Sequence, residues 1–224
     1  MGGVGSSERT VDLVVPVKML GVAKSRLRGA ADRGVGEQEA HAALALALAH
    51  DTIAAVRASA RVRALIVVSS DPVVAAELAA VGVEVAAEGP VPGLNPAYER
   101  GAALLAARDR TAVIGALQAD LPALLPAELD GAITEFLAGG AARAFCADAD
   151  GTGTTLLLAA PPAALDPRFG VGSARRHEES GARPLDGGWP GLRRDVDTST
   201  DLRDAAALGL GTHTSAVLAP ATGR

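Results

Sequence analysis

Aromatic side chains make up only 2% of the 224 residues, with a single Trp and a single Tyr. A paired-carboxylate glycosidase, which needs a cleft rich in rings for sugar stacking, is therefore a poor fit. One cysteine, Cys146, excludes an internal disulfide and any multi-cysteine zinc site, and reads as a small buried residue in a strand. Excess positive charge is also missing. A net charge of −5 and a pI near 5.4 exclude a general nucleic-acid binder, which would carry a basic face. The longest wholly apolar run, Ala42 to Ala49, falls far short of the ~20 residues that span a bilayer. The opening MGGVGSSERT lacks a basic-then-apolar signal pattern, so a cytoplasmic location with no membrane contact is expected.

What is present is aliphatic. Hydrophobic residues reach 49%, and the core must be built from Ala, Val and Leu. Short β-branched runs alternate with Ala-rich helical patterns, as in βαβ folding. Strands are expected at 11–17, 64–68, 83–85 and 111–117, with helices at about 37–57, 72–81, 97–108 and 126–137. Asp71 or Ser70 can cap the helix that begins at Pro72, and Gly82 can close it. The pattern changes at Arg143, where runs at 143–147 and 154–159 flank the turn Asp148-Ala149-Asp150-Gly151 and read as a hairpin. A Gly-rich loop, a short helix near 173–180 and a closing helix near 200–208 follow. Continuous apolar strands predict one α/β domain over residues 11–210. Its central sheet is mostly parallel, with helices on both faces and an antiparallel hairpin added. Residues 1–10 read as a flexible lead-in and 211–224 as a C-terminal tail.

In such sheets ligands bind beyond the carboxyl ends of the strands, which directs attention to 18–28, 69–71, 88–96 and 118–122. No GxGxxG, GxxxxGK[ST] or GxSxG motif is present, so the usual dinucleotide, P-loop and hydrolase signatures are missing. The first loop instead holds Lys18, Lys24, Arg26 and Arg28, which could bind a polyphosphate by charge or simply form a solvated basic loop. Asp120 ends the fourth strand two residues before Pro122, and Asp195, Asp197 and Asp201 sit in RRDVDTSTDL. A helix cap accounts for Asp201 but not for Asp195 or Asp197. The residues alone leave Asp120 open between turn former and ligand of a hard cation such as Mg²⁺. The four histidines are scattered; His177 stands out because it adjoins the glycine loop.

The segments VPVKMLGVAKSRL, VVSSDP, GLNPAYERG, LQADLPAL, DGTGTTLL, FGVGSARRH and DVDTSTDL, in this order from Val11 to Leu208, resemble the CofC/FbiD family. These are the guanylyltransferases of coenzyme F420 biosynthesis, relatives of the MobA-like nucleotidyltransferases with a Rossmann-like fold. The Lys-rich first loop separates the chain from sugar-nucleotide and molybdopterin cousins, whose loop is glycine-rich. The resemblance implies GMP transfer from GTP to phosphoenolpyruvate, or to 2-phospho-L-lactate, with Mg²⁺ and release of pyrophosphate. The Ala-rich composition favours phosphoenolpyruvate. The resemblance implies Lys18, Lys24 and Arg26 near the nucleotide phosphates, and Gly93 to Asn95 at the base and ribose. Ser70 and Asp71 would line the same pocket. Asp120 and Asp195 would hold the metal, with Asp197 able to exchange roles with Asp195. Thr152, Gly170 and Ser173 would cradle the acceptor. Lys24, Arg26 and Asp120 are the expected catalytic groups. The amides of Phe169 to Ser173 are a candidate anion nest. A downstream transferase of the pathway would receive the product. The alternatives are transfer to another phosphorylated acceptor and a non-catalytic nucleotide-binding module.

Overall fold

The computed structural model describes residues 10–20, 27, 30, 31 and 37–219. Lys24 and Arg26, expected in catalysis, lie outside the described residues.

The chain runs β1 (Val11–Pro16), α1 (Gln38–Ala58), β2 (Val62–Val68), α2 (Pro72–Ala80), β3 (Glu84–Ala86), α3 (Leu94–Arg108), β4 (Val113–Leu117) and α4 (Pro126–Gly139). It continues through β5 (Arg143–Ala147), β6 (Thr154–Ala159), α5 (Ser173–Glu179), β7 (Arg183–Pro184), α6 (Pro190–Arg193), α7 (Ser199–Leu208) and α8 (Thr212–Leu218). The sheet order is β3-β2-β1-β4-β6-β5-β7. Strands β3, β2, β1 and β4 pair in parallel, and β6 is antiparallel to both β4 and β5.

Alternation along β1 shows why its run is apolar apart from Asp12, a buried carboxylate paired with Arg63 at 2.7 Å. Val11, Leu13 and Val15 face a core layer with Ile53 and Val56 of α1, Val74 of α2 and Phe136 of α4. Val14 faces the opposite layer with Tyr98 and Leu105 of α3, Phe145 and Phe169. A strand covered on both faces cannot afford a polar side, and each fully buried Val or Leu contributes about 1.5–3 kcal/mol. Helix α3 comes close to the sheet because Gly101 has no side chain; a Cβ there would meet Val14 and Val68. That contact seats the middle of α3 on β1 and β2.

The strand and hairpin expectations agree with this architecture. Within the stretch expected as a tail, residues 212–218 form α8, which packs on α1. Its N-terminus is held by Asp51 of α1, whose two carboxylate oxygens accept the His213 and Thr214 N–H groups at 2.9 and 2.8 Å. That pairing spans more than 160 residues, so no local signal announced it. The short strand β7 and helix α6 were likewise not foreseen.

Between β1 and β4 the chain direction along the sheet reverses, since β2 and β3 extend one way and β4 the other. The crevice at this switch point is where ligands settle in open α/β sheets. Because β6 is antiparallel, its first residues and the hairpin turn before it reach the same edge.

Candidate active site

Asp120 is held at the end of β4 by its neighbours. Gln118 still donates its N–H to Thr155 O at 2.9 Å, and the chain then turns away through Pro122. Thr52, in the middle of α1, brackets the acid. Its hydroxyl accepts from Leu121 N at 2.9 Å and lies 3.1 Å from Ala119 O and 2.9 Å from Leu48 O, which share its single proton. Asp120 is buried, at 8% exposure. Its carbonyl accepts the Val196 N–H at 3.0 Å, so the backbone flanked by Asp195 and Asp197 is tied directly to Asp120. Asp195 is half-buried and Asp197 exposed. Asp201 is occupied elsewhere: it forms a capping box with Thr198 at the start of α7 and also accepts Asp197 N–H at 3.1 Å. The cap reading of Asp201 thus agrees with the structure, and the cap residue is Thr198.

These aspartates offer hard carboxylate oxygens, the donor type that suits Mg²⁺ or Mn²⁺ rather than zinc. No group of three or more His, Cys, Asp or Glu side chains forms a metal cluster among the described residues.

Beneath the acid lies Tyr98 of α3, fully buried and stacked on Phe169 with ring centroids 4.4 Å apart. Its hydroxyl has no hydrogen-bond partner among the described residues. Burial, with the Asp120 charge nearby, pushes the phenol well above its ordinary pKa.

On the β1–β3 side, Lys18 and Ser70 are exposed at strand ends, and Gly93 precedes α3. Asp71 is not available for a ligand in the same way. One carboxylate oxygen caps α2 by accepting Val73 and Val74 N–H at 2.9 and 3.3 Å, and the other accepts Leu20 N–H at 2.9 Å. Burial raises this carboxyl, but the three N–H donations outweigh it and leave it below the ordinary value. Asp71 therefore fastens the loop after β1 to the start of α2.

On the β6–β5 side, the turn is folded around Asp148, whose carboxylate accepts Thr152 and Gly153 N–H at 2.9 and 2.7 Å. Thr152 O in turn accepts Ala174 N–H at 3.1 Å, which docks the start of α5 beside the hairpin. Gly170 and Gly172 adopt φ of +118° and +71°, values that a side chain would disfavour. The loop is braced from three directions. Both ends of the Asn95 amide are committed to Phe169, accepting its N–H at 2.8 Å and donating to its carbonyl at 3.2 Å. Arg176 donates to Arg168 O and to Val171 O. His177, fully buried, accepts Arg168 N–H on Nε2 at 2.9 Å, so its proton sits on Nδ1, 2.9 Å from Thr154 Oγ1. Burial first, and then the charges of Arg143 and Arg176, lower its pKa to about 4. His177 is thus a neutral brace. Within Phe169 to Ser173, the Phe169 and Ser173 N–H groups are already spent on Asn95 and Gly170 O. An anion nest here is left with Gly170, Val171 and Gly172.

The structure therefore brings Asp120, Asp195, Asp197, Lys18, Ser70, Gly93, Thr152, Gly170 and Ser173 to one edge of the sheet, while Asn95 and Asp71 are engaged within the protein. Sequence reasoning missed Thr52, Asp148 and Arg176. Only Asp148, in an Asp-Ala-Asp-Gly turn, carried a local signal.

No family model matches the chain. It is 51% identical over 215 residues to a phosphoenolpyruvate guanylyltransferase of Salinispora arenicola, covering 95% of this chain and 96% of that one. It is 49% identical over 210 residues to the phosphoenolpyruvate guanylyltransferase of Geodermatophilus obscurus, covering 94% of each. The fold matches a nucleotidyl transferase of Methanothermobacter thermautotroptrophicus with a TM-score of 0.60 at 20% identity, covering 89% of this chain and 97% of that one. It also matches a Mycobacterium tuberculosis protein solved with manganese, with a TM-score of 0.53 at 23% identity, covering 88% and 98%. Half of the residues are thus shared over nearly the whole length with guanylyltransferases, and the chain belongs to the phosphoenolpyruvate guanylyltransferase family.

Proposed function

We propose that the chain transfers GMP from GTP to phosphoenolpyruvate, giving enolpyruvyl-diphospho-guanosine and pyrophosphate. The observation that carries this reading is the hydrogen bond between Asp120 O and Val196 N, in a chain half identical to enzymes so named. It puts the two acidic segments of the sequence at the switch point of a nucleotidyltransferase fold.

The acceptor brings its own nucleophile. Its phosphate is largely dianionic near neutral pH, with a second pKa of about 6, and one of its oxygens attacks the α-phosphorus. That P–O bond forms as the bond from the α-phosphorus to the bridging oxygen of the β-phosphate breaks, and the electron pair leaves with pyrophosphate. No general base is required, which agrees with the neutral bracing role of His177. The protein's task is to position two anions and neutralise their charge. Asp120 and Asp195, with Asp197 beside them, would hold Mg²⁺, which when bound offsets phosphate charge and orients the leaving group. Lys18, Lys24 and Arg26 are assigned to the triphosphate, the last two on the sequence resemblance alone. Thr152, Ser173 and the free amides of Gly170 to Gly172 are assigned to the acceptor. Ser70 and Gly93 line the nucleotide side. Coenzyme F420 biosynthesis is likewise assigned on the resemblance.

The test offers purified protein and Mg²⁺ each of GTP, ATP and CTP against phosphoenolpyruvate, 2-phospho-L-lactate and a hexose 1-phosphate, and weighs the products by mass spectrometry. The expected product is the diphosphate-linked enolpyruvyl guanosine. Its absence, with product from another pair, would replace the reading.

A further inference from the structure

A cavity of about 200 Å³ opens at the carboxyl end of β1, between the loop that follows it and the first turn of α3. It is smaller than the roughly 300 Å³ or more typical of a whole ligand site, so it takes a fragment such as one base. Pro16, Met19, Leu94 and Ala97 give it apolar walls suited to the faces of a flat heterocycle. Lys18 stands at its rim on the side of the proposed triphosphate path. Its one carboxylate is Glu88, half-buried in the segment between β3 and α3.

The neighbouring carboxylates are otherwise engaged. Glu84 forms a two-point pair with Arg108, at 2.9 and 2.5 Å, and Asp71 caps α2. Glu88 has no hydrogen bond or ion pair of this kind among the described residues. A half-buried carboxylate without a donor among the described residues, in an apolar slot at the ligand edge, suits a ligand that supplies donors.

We propose that Glu88 is the residue that selects guanine, its two oxygens accepting the N1–H and the exocyclic N2–H₂ of a base lying in this cavity. The inference rests on the GTP-dependent reading above. Guanine presents two adjacent donors on that edge. Adenine presents the N1 lone pair and a C–H there, so a carboxylate repels it. Hypoxanthine keeps the N1–H and lacks the amine, and should fall between the two.

The test measures kcat/KM with GTP, ITP and ATP for the wild type and for Glu88→Gln, which keeps the shape but turns one acceptor into a donor. One charge-assisted hydrogen bond predicts a wild-type preference of GTP over ITP of about 10- to 100-fold, with ATP lower still. In Glu88→Gln, GTP should lose about 10- to 100-fold, ITP and ATP should lose less, and the GTP:ITP ratio should fall toward one. An unchanged ratio, or an equal loss with all three nucleotides, would overturn the assignment while leaving the reaction in place. A wild type that takes ATP as readily as GTP would overturn the reading of the reaction and this inference with it.

Discussion

The two sides of the crevice are built differently. On the side proposed for the acceptor, the loop carrying Gly170 and Gly172 is braced by Asn95, Arg176 and the buried His177, with Phe169 stacked on Tyr98 below. On the side proposed for the nucleotide, the described residues are strand ends such as Lys18 and Ser70, whose side chains are exposed, and Asp71 is the brace that joins the first loop to α2. The acceptor is a three-carbon acid with little to grip, so its site has to be shaped in advance. A nucleotide carries a base, a ribose and three phosphates, and can be bound by several separate contacts. Pre-organisation is greatest where the ligand is smallest.

Acidification should loosen the loop carrying Gly170 and Gly172 first. His177 has a lower pKa in the folded chain, about 4 against the ordinary 6.5. The unfolded chain therefore binds this proton more readily, and the stability contributed by the neutral ring is present above pH 6.5 and lost as pH falls toward 4. The expected loss from this group is about 2–3 kcal/mol at pH 4. It is read as the difference in pH-dependent denaturant midpoints between wild type and His177→Gln. Only as pH falls toward 4, where the ring takes its proton in the folded chain, should the acceptor KM of wild type rise relative to that of His177→Gln, ahead of any change in the GTP KM. Identical pH slopes in the two proteins would remove His177 as the brace.

Asn95→Ala comes next. It removes two hydrogen bonds from the Phe169 backbone and should cost about 2 kcal/mol. The acceptor KM should rise about tenfold, the GTP KM much less. A rise confined to GTP would return Asn95 to the base and ribose, where the sequence resemblance put it.

The smallest effect should come from Asp71→Ala. Loss of a helix cap costs about 1 kcal/mol, and release of Leu20 should raise the GTP KM a few-fold while leaving the acceptor KM alone. The opposite split in steady-state kinetics would reverse the assignment of the two sides.

Much of this was legible in the chain because it is local. The apolar runs of β1 and β4 reflect burial on both faces, and Asp71-Pro72 marks a helix start by rules that need only a few neighbours. The segments around Asp120 and Asp195 were readable as acids in unusual positions. Their joining was not, because it depends on a backbone bond between residues 120 and 196. Asn95 is the instructive case. It was expected at the base and ribose, whereas its amide is engaged with a loop 74 residues away. Thr52 was invisible for the same reason: an isolated hydroxyl in an Ala-rich helix gives no sign that it holds a distant turn. The helix α8 was missed because its N-terminus is capped by Asp51, far away in sequence.

Asp120, held by Thr52 and Val196 at the end of β4, is the residue proposed to carry the metal on which transfer depends. Asp120→Asn keeps the shape of the side chain and removes its charge. The most direct measurement pairs its turnover with Mn²⁺ titration and thermal unfolding. The expected result is a loss in kcat of about 10²- to 10³-fold or more, weakened Mn²⁺ binding and a melting temperature within a few degrees of wild type. Turnover and Mn²⁺ affinity both unchanged in a folded variant would contradict it.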